Sequence, residues 1–203
     1  MIHLYIARHG QTEENVQRIL QGQMPGHLTA EGIAQAGELR EKLRDIHFDR
    51  IISSDLKRAV DTTHIIAEPH GGAFDLEPLL RERDFGIHTG GPYIKISQEL
   101  DPSAETMEQL SQRAAEFLNE VMRSSGCEVM RSSGCEVMRS SAPSLNILAV
   151  SHGLFLRVLQ AVYHGVEVRS IEKMENAEVR VLELRPGMHF SAMQQEETGG
   201  TAN

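Results

Sequence analysis

Short apolar runs and longer amphipathic stretches alternate along the chain. The runs typical of buried strands cover residues 2–7, 49–54, 146–150 and 179–184. The stretches with apolar side chains at helical spacing cover residues 30–46, 55–68, 104–123 and 153–163. Strands that alternate with helices in this way are typical of a mostly parallel sheet with helices on both faces.

The pattern therefore predicts an α/β protein, a three-layer α/β/α sandwich with a mostly parallel central sheet. In such sheets, ligands bind beyond the carboxyl ends of the strands. Three predicted strands end in polar or charged groups, which are Arg-His-Gly (8–10), Ser-Ser-Asp (53–55) and Ser-His-Gly (151–153). Their coincidence is the first indication of a functional site at that edge of the sheet.

Two of the helical stretches carry further signals. Thr29 is the expected N-cap of the first long helix, and Glu31 lies in its first turn, where a carboxylate favours the positive end of the helix dipole. The stretch 104–123 places one apolar face at helical spacing, made of Met107, Leu110, Ala114, Phe117, Leu118 and Val121.

An eight-residue repeat begins at the end of that stretch. Residues 120–127 read EVMRSSGC, residues 128–135 repeat them identically, and residues 136–141 begin a third copy. A unit this short cannot bury a core against its neighbours as solenoid repeats do. We interpret the repeat, at about 120–141, as a duplication that extends the helix or adds a surface excursion to a single domain of residues 1–193. The polar residues 194–203 are expected to form a flexible tail.

Composition narrows the class of partner. The chain has 203 residues and a formal net charge of −9, which argues against nucleic acid or an anionic membrane as its main partner. No stretch has the length of apolar sequence that a membrane span needs, and the first residues read as a strand rather than a secretory signal. Cys127 and Cys135 are too few for a disulfide framework, so a reducing, cytoplasmic setting is expected.

Charged groups at the predicted strand ends indicate an anion site. His9 follows Arg8 and precedes a glycine, which lets the backbone approach a ligand. Arg58 lies one turn into a helix whose N-terminus faces the same edge, and His152 follows another strand. Glu82, between two arginines, is either part of a surface ion pair or a general acid carried by a loop. Each feature alone is common, but the set suggests phosphoryl transfer by a nucleophilic histidine.

These residues lie in four segments that resemble the motifs of the histidine phosphatase superfamily, also called the phosphoglycerate mutase-like fold. The segments are RHGQTEEN (8–15), SSDLKRAVDT (53–62), LRERDFG (80–86) and SHG (151–153), in the family's order. The tripeptide RHG alone is weak, whereas the ordered set is specific and spans nearly the whole chain. The resemblance implies a phosphatase for small phosphorylated metabolites that needs neither a metal ion nor another cofactor.

The resemblance also implies a role for each of the five residues. His9 is the expected nucleophile, with its other ring nitrogen fixed by a carbonyl. Arg8, Arg58 and His152 are expected to hold the phosphoryl oxygens and to stabilise the developing charge. Glu82 is the expected proton donor to the leaving oxygen, and afterwards the base that activates water.

Within the superfamily, LLRERDFG (79–86) and SAETMEQL (103–110) are most similar to the TIGAR-type fructose-2,6-bisphosphatase branch. The residues then expected to bind substrate are Asn15, Gln21, Gly22 and Glu105. Further candidates for contact with a second phosphate are Lys57, Arg81 and Arg83. Ala104 stands where relatives have glycine, which leaves the shape of that loop open.

Two alternatives share this fold. A phosphoglycerate mutase uses the same nucleophile but returns the phosphoryl group to the substrate, and mutases of this family carry a longer insertion between the acid and the second histidine. The segment 90–105 is short here, which favours hydrolysis. A binding protein that has lost catalysis would lack the nucleophile, an arginine or the acid, and this chain has all of them. A phosphatase of fructose-2,6-bisphosphate or of bisphosphoglycerate is therefore the preferred prediction.

Overall fold

The computed structural model describes residues 1–93, 101–132 and 144–193. Within these ranges the strands are β1 (Ile2–Arg8), β2 (Arg50–Ser53), β3 (Asp75–Leu76), β4 (Leu145–Ser151) and β5 (Val179–Leu184). The helices are α1 (Glu13–Val16), α2 (Ala30–Leu43), α3 (Lys57–Ala67), α4 (Met107–Ser132) and α5 (Gly153–His164). Short 3-10 helices occupy Glu68–His70, Pro78–Leu80, Gly86–His88 and Val168–Ser170. None of the described helices is both long and apolar enough to cross a membrane.

The strands pair in the order β3-β2-β4-β1-β5. The first four run parallel to one another, and β5 runs antiparallel to β1 at the edge. Arg8 lies opposite Ser151 in the register between β1 and β4. Because parallel neighbours end at the same edge of a sheet, the ends of β1, β2 and β4 meet there. The predicted α/β class with a mostly parallel sheet is confirmed.

Side chains on the central strands alternate between two hydrophobic cores. Leu4 and Ile6 of β1 join Ile147 of β4 in a core with α4 and α5. Leu148 and Val150 of β4 point the other way, into a core with α2 and α3. Successive side chains on a strand face opposite sides of the sheet, so a continuous apolar run needs cover on both sides. The two helix pairs supply that cover and produce the predicted three layers.

A close backbone contact joins the loop after β1 to the N-terminus of α2. A Cβ atom added to Gly10 would collide with the Gly32 carbonyl oxygen, and one added to Gly32 would collide with the Gln11 carbonyl oxygen. Both positions therefore require glycine. Thr29 caps the helix as predicted, since its Oγ1 accepts a hydrogen bond from the Gly32 amide at 3.0 Å. This packing holds the loop that carries His9.

The helix α4 is longer than the sequence pattern predicts. It continues past the expected end near Arg123 to Ser132, through the first copy of the repeat and into the second. The repeat contains no proline and includes the helix formers Glu, Met and Arg, so it does not stop the helix. Over residues 120–132 the repeat thus extends the helix. Residues 133–141 and the expected tail 194–203 lie outside the described residues, and the boundaries of a single domain remain a prediction.

Two short elements have no counterpart in the predicted pattern. The helix α1 has four residues, and a capping box between Thr12 and Asn15 begins it. The strand β3 has two exposed residues, which pair with Ile52 and Ser53 of β2. Elements of two to four residues are too short to show hydrophobic periodicity, so only their pairing partners reveal them.

Candidate active site

The ends of β1 and β4 bring the two candidate histidines together. The His9 amide donates a hydrogen bond to the Ser151 carbonyl at 3.0 Å, continuing the parallel ladder by one residue. His152 follows β4 directly, and the centres of the two imidazole rings are 5.2 Å apart. Residues far apart in sequence therefore meet at the edge that the strand ends predict.

Hydrogen bonds assign one tautomer to His9. Its Nδ1 lies 2.7 Å from the Gly10 carbonyl oxygen, which can only accept, so Nδ1 carries the proton. Its Nε2 then has a free lone pair, which accepts a long hydrogen bond from Arg58 Nε at 3.3 Å. A neutral imidazole with a lone pair on Nε2 is the form that can attack phosphorus.

Arg58, in the first turn of α3, occupies the middle of the site and is almost fully buried. Its Nη1 donates to the Met24 carbonyl at 2.5 Å and its Nη2 to the Gly22 carbonyl at 2.8 Å. Its Nε points towards both histidines, 3.3 Å from His9 Nε2 and 3.1 Å from His152 Nδ1. The two loop carbonyls therefore anchor the guanidinium so that its charge stays beside the imidazoles.

His152 is completely buried on the other side of Arg58. Because its Nδ1 accepts from the guanidinium, its Nε2 carries the proton and donates to Ser54 Oγ at 2.8 Å. Ser54 follows β2, so this hydrogen bond links the ends of β2 and β4. In this structure His152 is connected to the site by its hydrogen bond with Arg58. Its direct contact with a phosphoryl group remains a prediction.

Burial and neighbouring cations keep both histidines neutral. Desolvation is the largest cause of the lowered pKa of His9, and the charges of Arg58 and Arg8 lower that pKa further. Desolvation also dominates the lowered pKa of His152, with Arg58 as the next cause. Burial lowers the pKa of Arg58 to about 10, which leaves the guanidinium charged at neutral pH. A neutral imidazole therefore sits beside a permanent cation.

Glu82 is held at the N-terminus of α5. Its Oε1 accepts hydrogen bonds from the amides of Arg83 at 2.9 Å and Phe155 at 3.1 Å, and its Oε2 accepts from the Leu154 amide at 3.2 Å. Leu154 and Phe155 lie in the first turn of the helix, where the backbone N–H groups have no partner within the helix. These bonds fix the carboxylate in one orientation.

Polar side chains from the loop after β1 form a neighbouring wall. Asn15 Oδ1 accepts from the Thr12 amide at 3.2 Å and from the Asn176 side chain at 3.4 Å. Its Nδ2 has no hydrogen-bond partner in the described part of the chain and is available to a ligand. The Gln21 side chain donates to Thr12 Oγ1 at 2.9 Å, which ties it to the same loop.

These groups share one cavity of about 280 Å³. The predicted site residues that line it are Arg8, His9, Asn15, Gln21, Gly22, Arg58 and Glu82. The rest of the lining consists of Ile19, Leu20, Phe85, Tyr93, Gly153, Leu154, Arg157, Lys173 and Met174. The volume lies near the lower end of small-molecule sites, roughly 300–1,000 Å³. The cavity therefore suits a small anion-bearing ligand.

Comparison with known proteins identifies the family. The family model described as histidine phosphatase superfamily (branch 1) matches residues 4–194. The chain belongs to the histidine phosphatase superfamily. The prediction made from the four motifs is thereby confirmed.

Two curated relatives and one solved structure show how far this chain resembles known proteins. Probable phosphoglycerate mutase GpmB of Enterobacter sp. (strain 638) is 33% identical over 138 residues, which cover 61% of this chain and 64% of that protein. Fructose-2,6-bisphosphatase TIGAR B of Danio rerio is 32% identical over 193 residues, which cover 81% of this chain and 74% of that protein. The structure of Bacillus stearothermophilus YhfR superposes with a TM-score of 0.74 at 25% identity, over 95% of each chain.

One predicted substrate-binding residue of this chain does not line the cavity. Glu105 does not line the cavity, because Arg113 binds both of its carboxylate oxygens at 2.9 and 2.8 Å. The Asp84 amide donates to the same carboxylate at 3.2 Å. The Glu105 carboxylate is thus engaged by a largely buried ion pair, and its contact with substrate stays a prediction that this geometry does not favour.

The three further cations considered for a second phosphate do not line the cavity either. Arg81 pairs with Asp55, and Lys57 pairs with Asp61 at 2.5 Å. Arg83 is buried, and its Nε donates to a backbone carbonyl at 2.7 Å. Their charges are satisfied locally, so none of the three is positioned to meet a ligand in this cavity.

Two cations of the cavity have no counterpart among the predicted residues. Arg157 lies four residues after Gly153 on α5, so it shares the helix face that begins at the SHG motif. That spacing is a signal which could have identified it. Lys173 is exposed and lies in the loop before β5. Nothing in the local sequence around Lys173 predicts a place in the cavity. The position of its loop depends on a contact with a distant residue, since Arg8 Nη1 donates a hydrogen bond to the Met174 carbonyl at 2.7 Å.

We expect the free energy of unfolding to fall as the pH drops below about 6.5, the ordinary pKa of histidine. The lowered pKa values of His9 and His152 keep both rings unprotonated in the folded protein, while the unfolded chain binds protons there. Each such proton removes about 1.4 kcal/mol of stability per pH unit until the pH reaches the folded-state pKa. Urea unfolding curves at several pH values between about 5 and 8 measure this slope.

A matched pair of variants tests the cause of that slope. Replacing His152 by glutamine removes one buried site of this kind, so the slope below pH 6.5 should become shallower by about one proton. Replacing the exposed His189 by glutamine should leave the slope unchanged. Equal slopes in all three proteins would contradict the neutral state assigned to His152.

Proposed function

We propose that this chain hydrolyses phosphate monoesters of small metabolites through a phosphohistidine intermediate on His9. The observation that carries the proposal is the environment of this ring, a neutral imidazole whose Nε2 lone pair lies beside Arg58. Arg8 and Glu82 line the same cavity. In a chain with a net charge of −9, a cavity in which cations surround a nucleophile favours an anionic phosphoryl group.

In the first half-reaction, His9 Nε2 attacks phosphorus in line, and the bond from phosphorus to the ester oxygen breaks as the P–N bond forms. Arg8 and Arg58 stabilise the charge on the phosphoryl oxygens. The free Nδ2 of Asn15 donates to one of these oxygens. Glu82 transfers its proton to the leaving oxygen, so that an alcohol departs rather than an alkoxide.

In the second half-reaction, the Glu82 carboxylate accepts a proton from a water molecule whose oxygen attacks phosphorus. The P–N bond breaks, inorganic phosphate leaves, and His9 regains its lone pair on Nε2. The Gly10 carbonyl holds the Nδ1 proton throughout, so the ring returns to the same tautomer. Glu82 is protonated again, and the cycle has consumed one ester and one water.

For the substrate, we propose a small ester with a second anionic group, such as fructose-2,6-bisphosphate or bisphosphoglycerate. Arg157 and Lys173 support this choice, because both line the cavity. Arg157 Nε and Nη2 donate to the Ile171 and Arg169 carbonyls, so its contribution is mainly its positive charge. The ammonium of Lys173 has no hydrogen-bond partner within the described ranges, which leaves it free for an anion. The relative from Danio rerio, named as a fructose-2,6-bisphosphatase, points in the same direction.

A panel of phosphate esters tests the proposed activity. Fructose-2,6-bisphosphate, 2,3-bisphosphoglycerate and glycerol 2-phosphate are incubated with the protein, and released inorganic phosphate is measured. We expect kcat/KM for at least one bisphosphate to exceed that for glycerol 2-phosphate by about tenfold or more, the effect of about 1.4 kcal/mol of added binding. Phosphate release from none of the three would overturn the proposal.

A second candidate is a phosphoglycerate mutase, because the relative GpmB is named a probable enzyme of that kind. A mutase returns the phosphoryl group to the substrate instead of to water. Product analysis with 3-phosphoglycerate and 2,3-bisphosphoglycerate separates the two candidates. We expect phosphate release from the bisphosphate, and clean interconversion of monophosphoglycerates without phosphate release would replace hydrolase by mutase.

We expect EDTA to leave the rate of hydrolysis intact. Within residues 1–93, 101–132 and 144–193, no group of three His, Cys, Asp or Glu side chains could hold a metal ion. Arg8 and Arg58 supply the positive charge that Mg²⁺ supplies in many phosphoryl-transfer enzymes. Initial rates before and after dialysis against EDTA check this, and a lost rate that Mg²⁺ restores would count against the mechanism.

A further inference from the structure

Arg113, on α4, makes a dense set of contacts with the segment that carries Glu82. Its Nη1 donates to the Leu79 carbonyl at 2.8 Å and to the Arg81 carbonyl at 2.6 Å, and its Nη2 donates to the Glu82 carbonyl at 3.4 Å. The same guanidinium holds the Glu105 carboxylate through two hydrogen bonds. One side chain therefore ties α4 to three backbone carbonyls within residues 79–82.

This loop needs such an anchor. Residues 81–85 follow the 3-10 helix Pro78–Leu80 and belong to no helix or strand, so their carbonyl groups have no regular ladder to join. Arg113 and Glu105 expose only 16% and 15% of their side chains, which makes their bonds stronger than those of a surface pair. An unpaired carbonyl in the same place would cost about 1–3 kcal/mol.

Glu105 holds the loop from the side that follows the acid. Its Oε2 accepts a hydrogen bond from the Asp84 amide at 3.2 Å, and its own carbonyl accepts from Arg83 Nε at 2.7 Å. Arg113 holds the residues before Glu82, and Glu105 holds the two residues after it. The two residues of the ion pair therefore contact the backbone on both sides of the candidate acid.

The guanidinium of Arg113 also packs on the residue that binds the carboxylate of Glu82. Its Cζ lies 4.8 Å from the ring centre of Phe155, whose amide donates to Glu82 Oε1 at 3.1 Å. The backbone of the acid and the helix turn that receives its side chain thus contact the same arginine. A shift of this arginine would change the position of Glu82 relative to His9.

We propose that the Arg113–Glu105 ion pair positions Glu82 for proton transfer to the leaving group. This inference rests on the proposed function, since it concerns the acid of that reaction. Neither residue lines the cavity, so both are positioning residues that act through Glu82. Arginine suits this role because its planar fork of five donors binds a carboxylate and several carbonyls at once, which a lysine ammonium cannot do in the same geometry.

The test compares two esters that differ in their need for an acid. Glycerol 2-phosphate has a poor leaving group that needs protonation, whereas p-nitrophenyl phosphate releases a stable phenolate without it. The measured quantity is kcat/KM, because it reports the steps up to departure of the alcohol and excludes hydrolysis of the phosphohistidine. Arg113→Gln should lower kcat/KM about tenfold to a hundredfold for glycerol 2-phosphate and less than about threefold for p-nitrophenyl phosphate.

A control comes from an exposed Arg–Glu ion pair elsewhere in the fold. Arg44 binds Glu41 with two hydrogen bonds of 2.8 Å at the end of α2, but neither residue contacts the Glu82 loop. Arg44→Gln should change kcat/KM for neither ester. Glu105→Gln is a milder second variant, because its amide oxygen can still accept from the Asp84 amide, and it should reduce the rate with glycerol 2-phosphate selectively. It keeps the test valid if Arg113→Gln does not fold by circular dichroism.

A double-mutant cycle separates positioning from general stability. If Arg113 acts through Glu82, adding Arg113→Gln to Glu82→Gln should lower the glycerol 2-phosphate rate by less than about twofold beyond Glu82→Gln alone. Independent, additive losses would overturn the proposal, as would equal losses with both esters in folded variants. Wild-type protein that hydrolyses neither these two esters nor either bisphosphate of the panel above the level of His9→Ala would instead refute the proposed function itself, and with it this inference.

Discussion

His9→Ala should lower the turnover of every phosphate ester that the protein hydrolyses by at least about 10⁴-fold. The lone pair on His9 Nε2 is the proposed nucleophile, and the positive charges of Arg58 and Arg8 lie close to its ring. Without it, no phosphoenzyme forms. Arg8 and Arg58 remain, so a small residual rate from binding and charge stabilisation alone is compatible with this expectation.

The intermediate provides a second measurement for the same variant. Wild-type protein mixed with a ³²P-labelled ester and quenched in alkali should retain label, because phosphohistidine is stable in alkali and labile in acid. His9→Ala should retain none, whereas His189→Ala, which removes an exposed imidazole, should label like wild type. Circular dichroism establishes that the variants are folded. Unchanged turnover in folded His9→Ala would rule out this residue as the nucleophile.

Glu82→Gln should lower kcat/KM for an ester with a poor leaving group by about 10²–10⁴-fold, the usual contribution of a general acid. Glutamine is nearly isosteric, and its amide oxygen can still accept from the amides of Leu154 or Phe155 at the start of α5. The variant therefore removes the transferable proton with little change of shape. With p-nitrophenyl phosphate the loss in kcat/KM should be much smaller, because the departing phenolate needs no proton.

A series of aryl phosphates with leaving groups of graded basicity measures this difference. In wild type, log(kcat/KM) should depend weakly on the basicity of the leaving group, and in Glu82→Gln the dependence should become steep. Parallel lines for the two proteins would mean that Glu82 does not donate the proton. Glu77→Gln serves as the control, since that carboxylate caps the neighbouring 3-10 helix and does not line the cavity.

Much of the fold follows from local patterns in the sequence. The apolar run at residues 179–184 coincides with β5, and the runs that predict β1, β2 and β4 agree with the structure to within one or two residues. β1 and β4 are central and bury most of their apolar residues, so their signal is strong, whereas β5 at the edge buries only Leu182 and Leu184. The end of α4 depends on whether the helix continues through the repeat, and the existence of β3 and α1 depends on their hydrogen-bond partners. Local periodicity carries little information about either.

The sequence predicts part of the candidate site in the same way, and the rest depends on the tertiary structure. His9, Arg58 and His152 directly follow strands or begin helices, so the strand order alone brings them to one edge of the sheet. Glu105 resembles a substrate ligand in its motif, yet Arg113 of α4, eight residues further along the chain, binds its carboxylate. Sequence similarity identifies the position of this carboxylate but not its partner, because the same side chain can bind either an arginine of the protein or a substrate.

The sequence by itself determines the alternation of strands and helices, the edge where the strands end, and the chemical groups present at that edge. The tertiary structure decides which atoms of these groups face one another: the proton on His9 Nδ1, the anchoring of Arg58 by loop carbonyls, and the bracket of Arg113 and Glu105 around the acid. The reason is physical. Apolar periodicity is a property of neighbouring residues, whereas the tautomer of a ring or the orientation of a carboxylate depends on hydrogen-bond partners from segments distant in the chain.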